Sequence, residues 1–177
     1  MTILTSISNP IRFDVIETPL WPGRLGLTIA PGKQGSIYGR THRRDLHTDL
    51  NALRAQGADE LVNLMEDDEQ ARWQMQGYDE EAQGAGLSVR RYPIPDVNIP
   101  ADAASFRALV EEVYTDLSAG KTVVVHCLGG LGRSGTLAAC LLIRAGMEPE
   151  QAITAVRHYR TGAIEGQQPE FVRKFRV

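Results

Sequence analysis

A chain of 177 residues is sized for one compact domain with a substantial core, and residues 1–177 are read as such a unit. A formal charge of −3 without any basic run argues against nucleic acid or an anionic membrane as partner. No apolar stretch is long enough to span a bilayer, no charged-then-apolar leader opens the chain, and cysteine occurs only 2 times, so the expected compartment is the reducing cytoplasm.

Residues 1–24 are the least readable part. Isolated apolar residues are punctuated by Pro10, Pro19 and Pro22, which fits short strands and an irregular lead-in equally well. Trp21 is expected to pack on the core rather than serve a recognition surface. Leu25–Ala30 reads as a strand, stopped by Pro31-Gly32. Thr41-His42-Arg43-Arg44 precedes a helical pattern of Leu46, Leu50 and Leu53 that Gly57 closes. The paired arginines are expected to be solvated, and His42 and His47 lack metal-ligand partners at a suitable spacing.

Glu60–Met65 carries a second buried strand, followed by the acidic cluster Glu66-Asp67-Asp68-Glu69. Negative side chains suit a helix start, so capping is the expected role of the cluster. A polar stretch leads through Gly86 to a third strand at Leu87–Tyr92. Pro93, Pro95 and Pro100 then make a stiff loop around Asp96, a carboxylic acid suited to proton transfer or to turn formation. Asp102 stands where a helix N-cap belongs, because Phe106, Leu109, Val110, Val113, Tyr114 and Leu117 trace an amphipathic helix ending near Gly120.

Lys121–His126 supplies another strand, rich in β-branched valine. It runs into Cys127-Leu128-Gly129-Gly130-Leu131-Gly132-Arg133-Ser134-Gly135 and then an Ala/Leu-rich helix from Thr136 to Ala145. Strand, glycine-rich turn and helix build a pocket for a phosphate, since turn N–H groups face inward and the helix N-terminus adds its positive end. In such surroundings a thiolate is stabilised. Arg133 offers a planar fork matched to two phosphoryl oxygens. Ser134 can donate its hydroxyl to the sulfur.

Cys140, among Ala and Leu, is read as a core thiol, with a reversible disulfide to Cys127 as the alternative. Pro149 opens a further helix with Ala152, Ile153 and Val156 on its buried side, and a last helix surrounds Phe171, Val172 and Phe175. Strands separated by helices argue an α/β fold: a mostly parallel central sheet with helices on both faces, its ligand loop at the carboxyl end of a strand.

His-Cys, five residues, Arg-Ser resembles the active-site signature of the cysteine-dependent tyrosine and dual-specificity phosphatases. The finer spelling, His126-Cys127-x-Gly129-Gly130-Leu131-Gly132-Arg133-Ser134, resembles the kinase-associated (cyclin-dependent kinase inhibitor 3) group, and the resemblance reaches back to the Leu25…Pro31-Gly32 segment. It implies Cys127 as nucleophile, Arg133 with the loop residues Leu128, Gly129, Gly130, Leu131 and Gly132 as phosphate binders, and Asp96 as general acid. Ser134 would assist the leaving sulfur, His126 would tune the loop, and Gln168, with Gln167 beside it, would match a glutamine that orients water. Loop N–H groups and Arg133 replace a metal in that chemistry, so neither metal nor cofactor is expected.

The loop itself contains no lysine and no second arginine, which argues against highly charged phosphoinositides. The expected substrate is therefore a phosphoprotein, in the kinase-associated group a kinase, and the expected state is a monomer. Three other readings of the pocket are a sulfurtransferase, a lipid or RNA 5′-phosphatase, and a phospho-reader without turnover. The Arg133-Ser134 ending disfavours the first, and the presence of cysteine, arginine and acid together disfavours the last.

Overall fold

The chain is described from a computed structural model that covers residues 2–177. Its main sheet has five strands: β2 (Asp14–Val15), β3 (Arg24–Thr28), β6 (Glu60–Asn63), β7 (Ser88–Arg91) and β8 (Thr122–His126), in the order β2-β3-β8-β6-β7. The pairings β3–β8, β8–β6 and β6–β7 are parallel, and β2 joins antiparallel at one edge. A second sheet of three short strands packs β1 (Ile3–Thr5), β5 (Arg40–Arg43) and β4 (Gln34–Ile37) in that order.

Strand β8 is central and buried on both sides, which explains its unbroken valines. Val123 and Val125 face one core with α4 (Ala103–Ser118), α5 (Gly132–Arg144), α6 (Pro149–Tyr159) and α7 (Gln168–Lys174). Val124 faces the opposite core with α1 (Leu46–Ala55) and α3 (Tyr78–Gly84). Alternation along one strand thus assigns the helices to both faces of the sheet, as expected. Phe106 on α4 anchors the larger core with edge-on contacts to Tyr92, Phe171 and Phe175.

Two local expectations are corrected. Residues Arg40–Arg43 form the middle strand of the small sheet rather than a helix lead-in, and the helix cap is Asp45, whose carboxylate accepts from Thr48 N–H at 2.8 Å. Arg44 is not solvated. Its side chain is fully buried and forks onto Asp49 at 2.7 and 3.0 Å, because α1 places a carboxylate directly beneath it. Other expectations agree with the structure: Trp21 is buried edge-on to Tyr114, and Asp102 caps α4 through the Ala104 and Ser105 N–H groups.

Candidate active site

The loop from Cys127 to Leu131 leaves the carboxyl end of β8 and enters α5 at Gly132, so the first N–H groups of α5 are directed toward the loop. Gly130 is required here. Its φ is +67°, and a Cβ at this position would lie 2.2 Å from the Thr28 carbonyl oxygen. A cavity of about 280 Å³ opens above the loop, lined by Cys127, Leu128, Gly129, Leu131, Gly132 and Arg133. Lys33, Asp96 and Val97 share the same walls. The sequence-predicted nucleophile, phosphate fork and acid therefore meet in one place.

Arg133 is almost completely buried, and its guanidinium is held from three directions. Glu69 accepts from Nη1 and Nη2 at 2.7 Å each, the Ile94 carbonyl accepts from Nη1 at 2.9 Å, and Asp96 accepts from Nη2 at 2.9 Å. The sequence predicts only a capping role for Glu69. It does start α2 (Asp67–Arg72), accepting weakly from Glu66 N–H, but its carboxylate is buried and committed to Arg133. A buried charge needs such a partner, because taking it out of water unpaired costs on the order of several kcal/mol. The only sequence signal is a glutamate among four successive acids, which does not distinguish it from its neighbours.

Asp96 lies on the loop between β7 and α4, half-exposed, its Oδ1 also accepting from Val97 N–H at 3.0 Å. Val97 has φ +61°, in the left-handed region that disfavours β-branched residues, and remains exposed at the cavity rim. The Asp96 loop is tied to the far side of the site through Gln168. That fully buried amide donates to the Asn98 carbonyl at 3.1 Å and accepts from Glu165 N–H at 2.9 Å, while lying against Gly132. Gln168 thus lies against the loop, but it is not among the residues that line the cavity, and both ends of its amide are engaged within the protein.

His126 points away from the cavity. Its Nδ1–H faces the Cys127 carbonyl at 3.2 Å, which leaves Nε2 to accept the Tyr78 hydroxyl at 2.7 Å. Complete burial lowers its pKa to about 4, so the ring is neutral and this tautomer is fixed. Ser134 is also buried, and among the described residues its Oγ has no hydrogen-bond partner, the Cys127 sulfur included. Cys140 is buried in the α5 core with its thiol pKa pushed up by desolvation, and both cysteines are free.

Two cations reach the loop from elsewhere in the chain, and sequence reasoning missed both. Arg160, after α6, donates to the Gly129 carbonyl at 2.8 Å and the Gly130 carbonyl at 3.1 Å, and is itself paired with Asp14 at 2.9 Å. Lys33, from the turn between β3 and β4, donates to the Leu128 carbonyl at 3.2 Å and lies 5.9 Å from the Trp73 ring centroid. The loop itself has no lysine, as the sequence shows, but Lys33 brings one to the cavity wall. Among the described residues no cluster of His, Cys, Asp and Glu is arranged to hold a metal ion.

Comparison with known proteins finds relatives of the whole fold. A family model described as "Polymorphic toxin system, DSP-PTPase phosphatase" matches residues 36–147. Cyclin-dependent kinase inhibitor 3 of Rattus norvegicus is 31% identical over 156 residues, covering 86% of this chain and 71% of the relative. Protein tyrosine phosphatase type IVA 3 of Homo sapiens is 36% identical over 93 residues, covering 51% of this chain and 53% of the relative. The crystal structure of kinase-associated phosphatase, with its catalytic-site cysteine replaced by serine, superposes with a TM-score of 0.85 at 29% identity over 95% of both chains. Tk-PTP in its active form superposes with a TM-score of 0.72 at 27% identity, over 93% of this chain and 97% of the other.

Proposed function

This chain belongs to the DSP-PTPase family of cysteine-dependent protein phosphatases, and from that membership we propose that residues 1–177 act as one phosphatase domain whose nucleophile is Cys127. The observation that carries the assignment is the shared cavity: Cys127 and Arg133 line it together, with the Asp96 carboxylate on Arg133.

In the proposed reaction the Cys127 thiolate attacks phosphorus of a phosphate monoester. Arg133 is gripped by Glu69 at the end of its guanidinium, so the Nε/Nη2 edge is the one oriented toward the phosphoryl oxygens. Loop N–H groups and the N-terminus of α5 hold the remaining equatorial charge. Asp96 protonates the departing phenol or alcohol oxygen. Water then attacks the phosphocysteine, with Asp96 as base and the uncommitted Ser134 hydroxyl donating to the leaving sulfur. Gln168 positions the Asp96 loop through Asn98, and His126 with Tyr78 supports the strand end beneath Cys127.

The substrate is proposed to be a phosphoprotein. Similarity to kinase-associated phosphatase makes a phosphorylated protein kinase the first partner to test. A free thiol nucleophile works only in a reducing compartment, which supports the cytoplasm as the site of action.

Hydrolysis of para-nitrophenyl phosphate without metal and with a reductant tests the assignment. Wild type should turn over, Cys127→Ser should not, and Asp96→Ala should lose the basic limb of the pH profile. Turnover in Cys127→Ser equal to wild type overturns it. A wild type that binds phosphate without turnover points instead to a phospho-reader.

A further inference from the structure

Lys33 stands outside the loop that binds phosphate, yet it is 3% exposed and lines the cavity that contains Cys127. Its ammonium donates to the Leu128 carbonyl oxygen at 3.2 Å, and the Ala30 N–H donates to the same oxygen at 3.1 Å. In a trans peptide the carbonyl and the following N–H point in opposite directions. Two donors hold the Leu128 oxygen, so the Gly129 N–H is fixed on the opposite side of the peptide plane from Lys33 and Ala30. Among the described residues that N–H finds no acceptor.

We propose that Lys33 is a positioning residue of the phosphatase reaction: it aims the Gly129 N–H at the phosphoryl group through the Leu128 carbonyl and polarises that peptide with its charge. Glycine at 129 leaves its own peptide free to rotate, so an external anchor is needed to keep the donor aligned. Lys33 is also held by its surroundings. The Trp73 ring lies 5.9 Å from its Nζ, Trp73's carbonyl accepts from the Gln34 N–H at 2.9 Å, and the turn after β3 leaves the side chain only 3% exposed. Such preorganisation matters in proportion to the charge that develops on the phosphoryl oxygens.

The inference rests on the proposed phosphatase reading of the cavity, and its test separates the two. Amide resonances of the full chain are followed by NMR during titration with inorganic phosphate, alongside kcat and KM for para-nitrophenyl phosphate. In wild type the Gly129, Gly132 and Arg133 amides are expected to shift. In Lys33→Met the Gly129 response is lost while those of Gly132 and Arg133 persist, and kcat falls about tenfold, less than the roughly hundredfold or more seen when one donor of an oxyanion site is removed outright. Lys33→Arg, which also donates to a carbonyl, restores the Gly129 response and most of kcat. If Lys33→Met does not fold, Lys33→Gln, which donates without charge, replaces it, with a retained Gly129 shift and a reduced kcat expected. An unchanged Gly129 response and unchanged kcat in Lys33→Met overturn the role of Lys33 alone, as does a folded Lys33→Arg that is as impaired as Lys33→Met. If phosphate moves no loop amide in wild type, the phosphatase reading itself falls, and this inference with it.

Discussion

The Asp96 carboxylate sits on Nη2 of Arg133, 2.9 Å away, at the guanidinium edge that Glu69 leaves open. The proposed general acid and the proposed phosphate fork thus satisfy one another. In the proposed reaction a phosphoryl dianion takes the place of the carboxylate on Nη2 and frees Asp96 for its role at the leaving oxygen.

Asp96→Asn should separate these two roles. The asparagine competes less well for Arg133, so inorganic phosphate should inhibit more tightly by a few-fold, the equivalent of the ~1 kcal/mol of a half-exposed ion pair. In the same variant kcat should fall about a hundredfold, the usual contribution of a positioned proton donor. Competitive inhibition by phosphate and steady-state turnover measure both effects. Weaker phosphate binding in Asp96→Asn would contradict the competition.

Glu69 should behave as the support of Arg133 rather than as a helix cap. Glu69→Ala leaves a buried guanidinium with only the Ile94 carbonyl and Asp96, so a loss of about 3 kcal/mol in unfolding free energy is expected, as for breaking a buried pair. The neighbouring Asp68→Ala, which lies on the exposed side of α2, should change stability by less than about 0.5 kcal/mol. Urea unfolding of the two variants distinguishes buried pairing from simple capping.

Arg160 holds two successive carbonyls of the loop, those of Gly129 and Gly130, and so aims the Gly130 and Leu131 N–H groups inward. Arg160→Met keeps the length of the stem and removes both bonds. We expect kcat/KM to fall about a hundredfold, the scale of a small misplacement of reacting groups, with a smaller change in melting temperature. A kcat/KM within twofold of wild type, on roughly the scale of experimental scatter, would show that the loop keeps its shape unaided.

Stability should fall in acid through His126. Its pKa in the folded protein is about 4, lowered by burial from the ordinary 6.5. The unfolded chain therefore takes up the proton first as pH drops. The contribution is complete above about pH 6.5 and is lost progressively toward pH 4, about 3 kcal/mol in all. Melting temperature followed over that range should fall less steeply in His126→Asn than in wild type. Equal slopes would mean that the ring is not held neutral.

The sequence alone determined the strand, turn and helix that carry Cys127 and Arg133, because each of those elements follows from neighbouring residues. Unbroken valines make a strand buried on both faces, glycines permit the turn, and the Ala/Leu run makes the helix. Asp96 and Asp102 were also legible, since a proline-stiffened loop and a helix start have local signatures. Tertiary structure alone decided what surrounds the loop. Glu69 meets Arg133 across 64 positions, Lys33 meets Leu128 across 95, and Arg160 meets Gly129 across 31. None of these three has a local pattern that marks it. Each is a charged residue whose meaning is set by burial beside an oppositely charged group or an outward-facing carbonyl, and burial is a property of the packed chain. Arg44 makes the same point: it reads as half of a solvated arginine pair, and the packing of α1 buries it on Asp49.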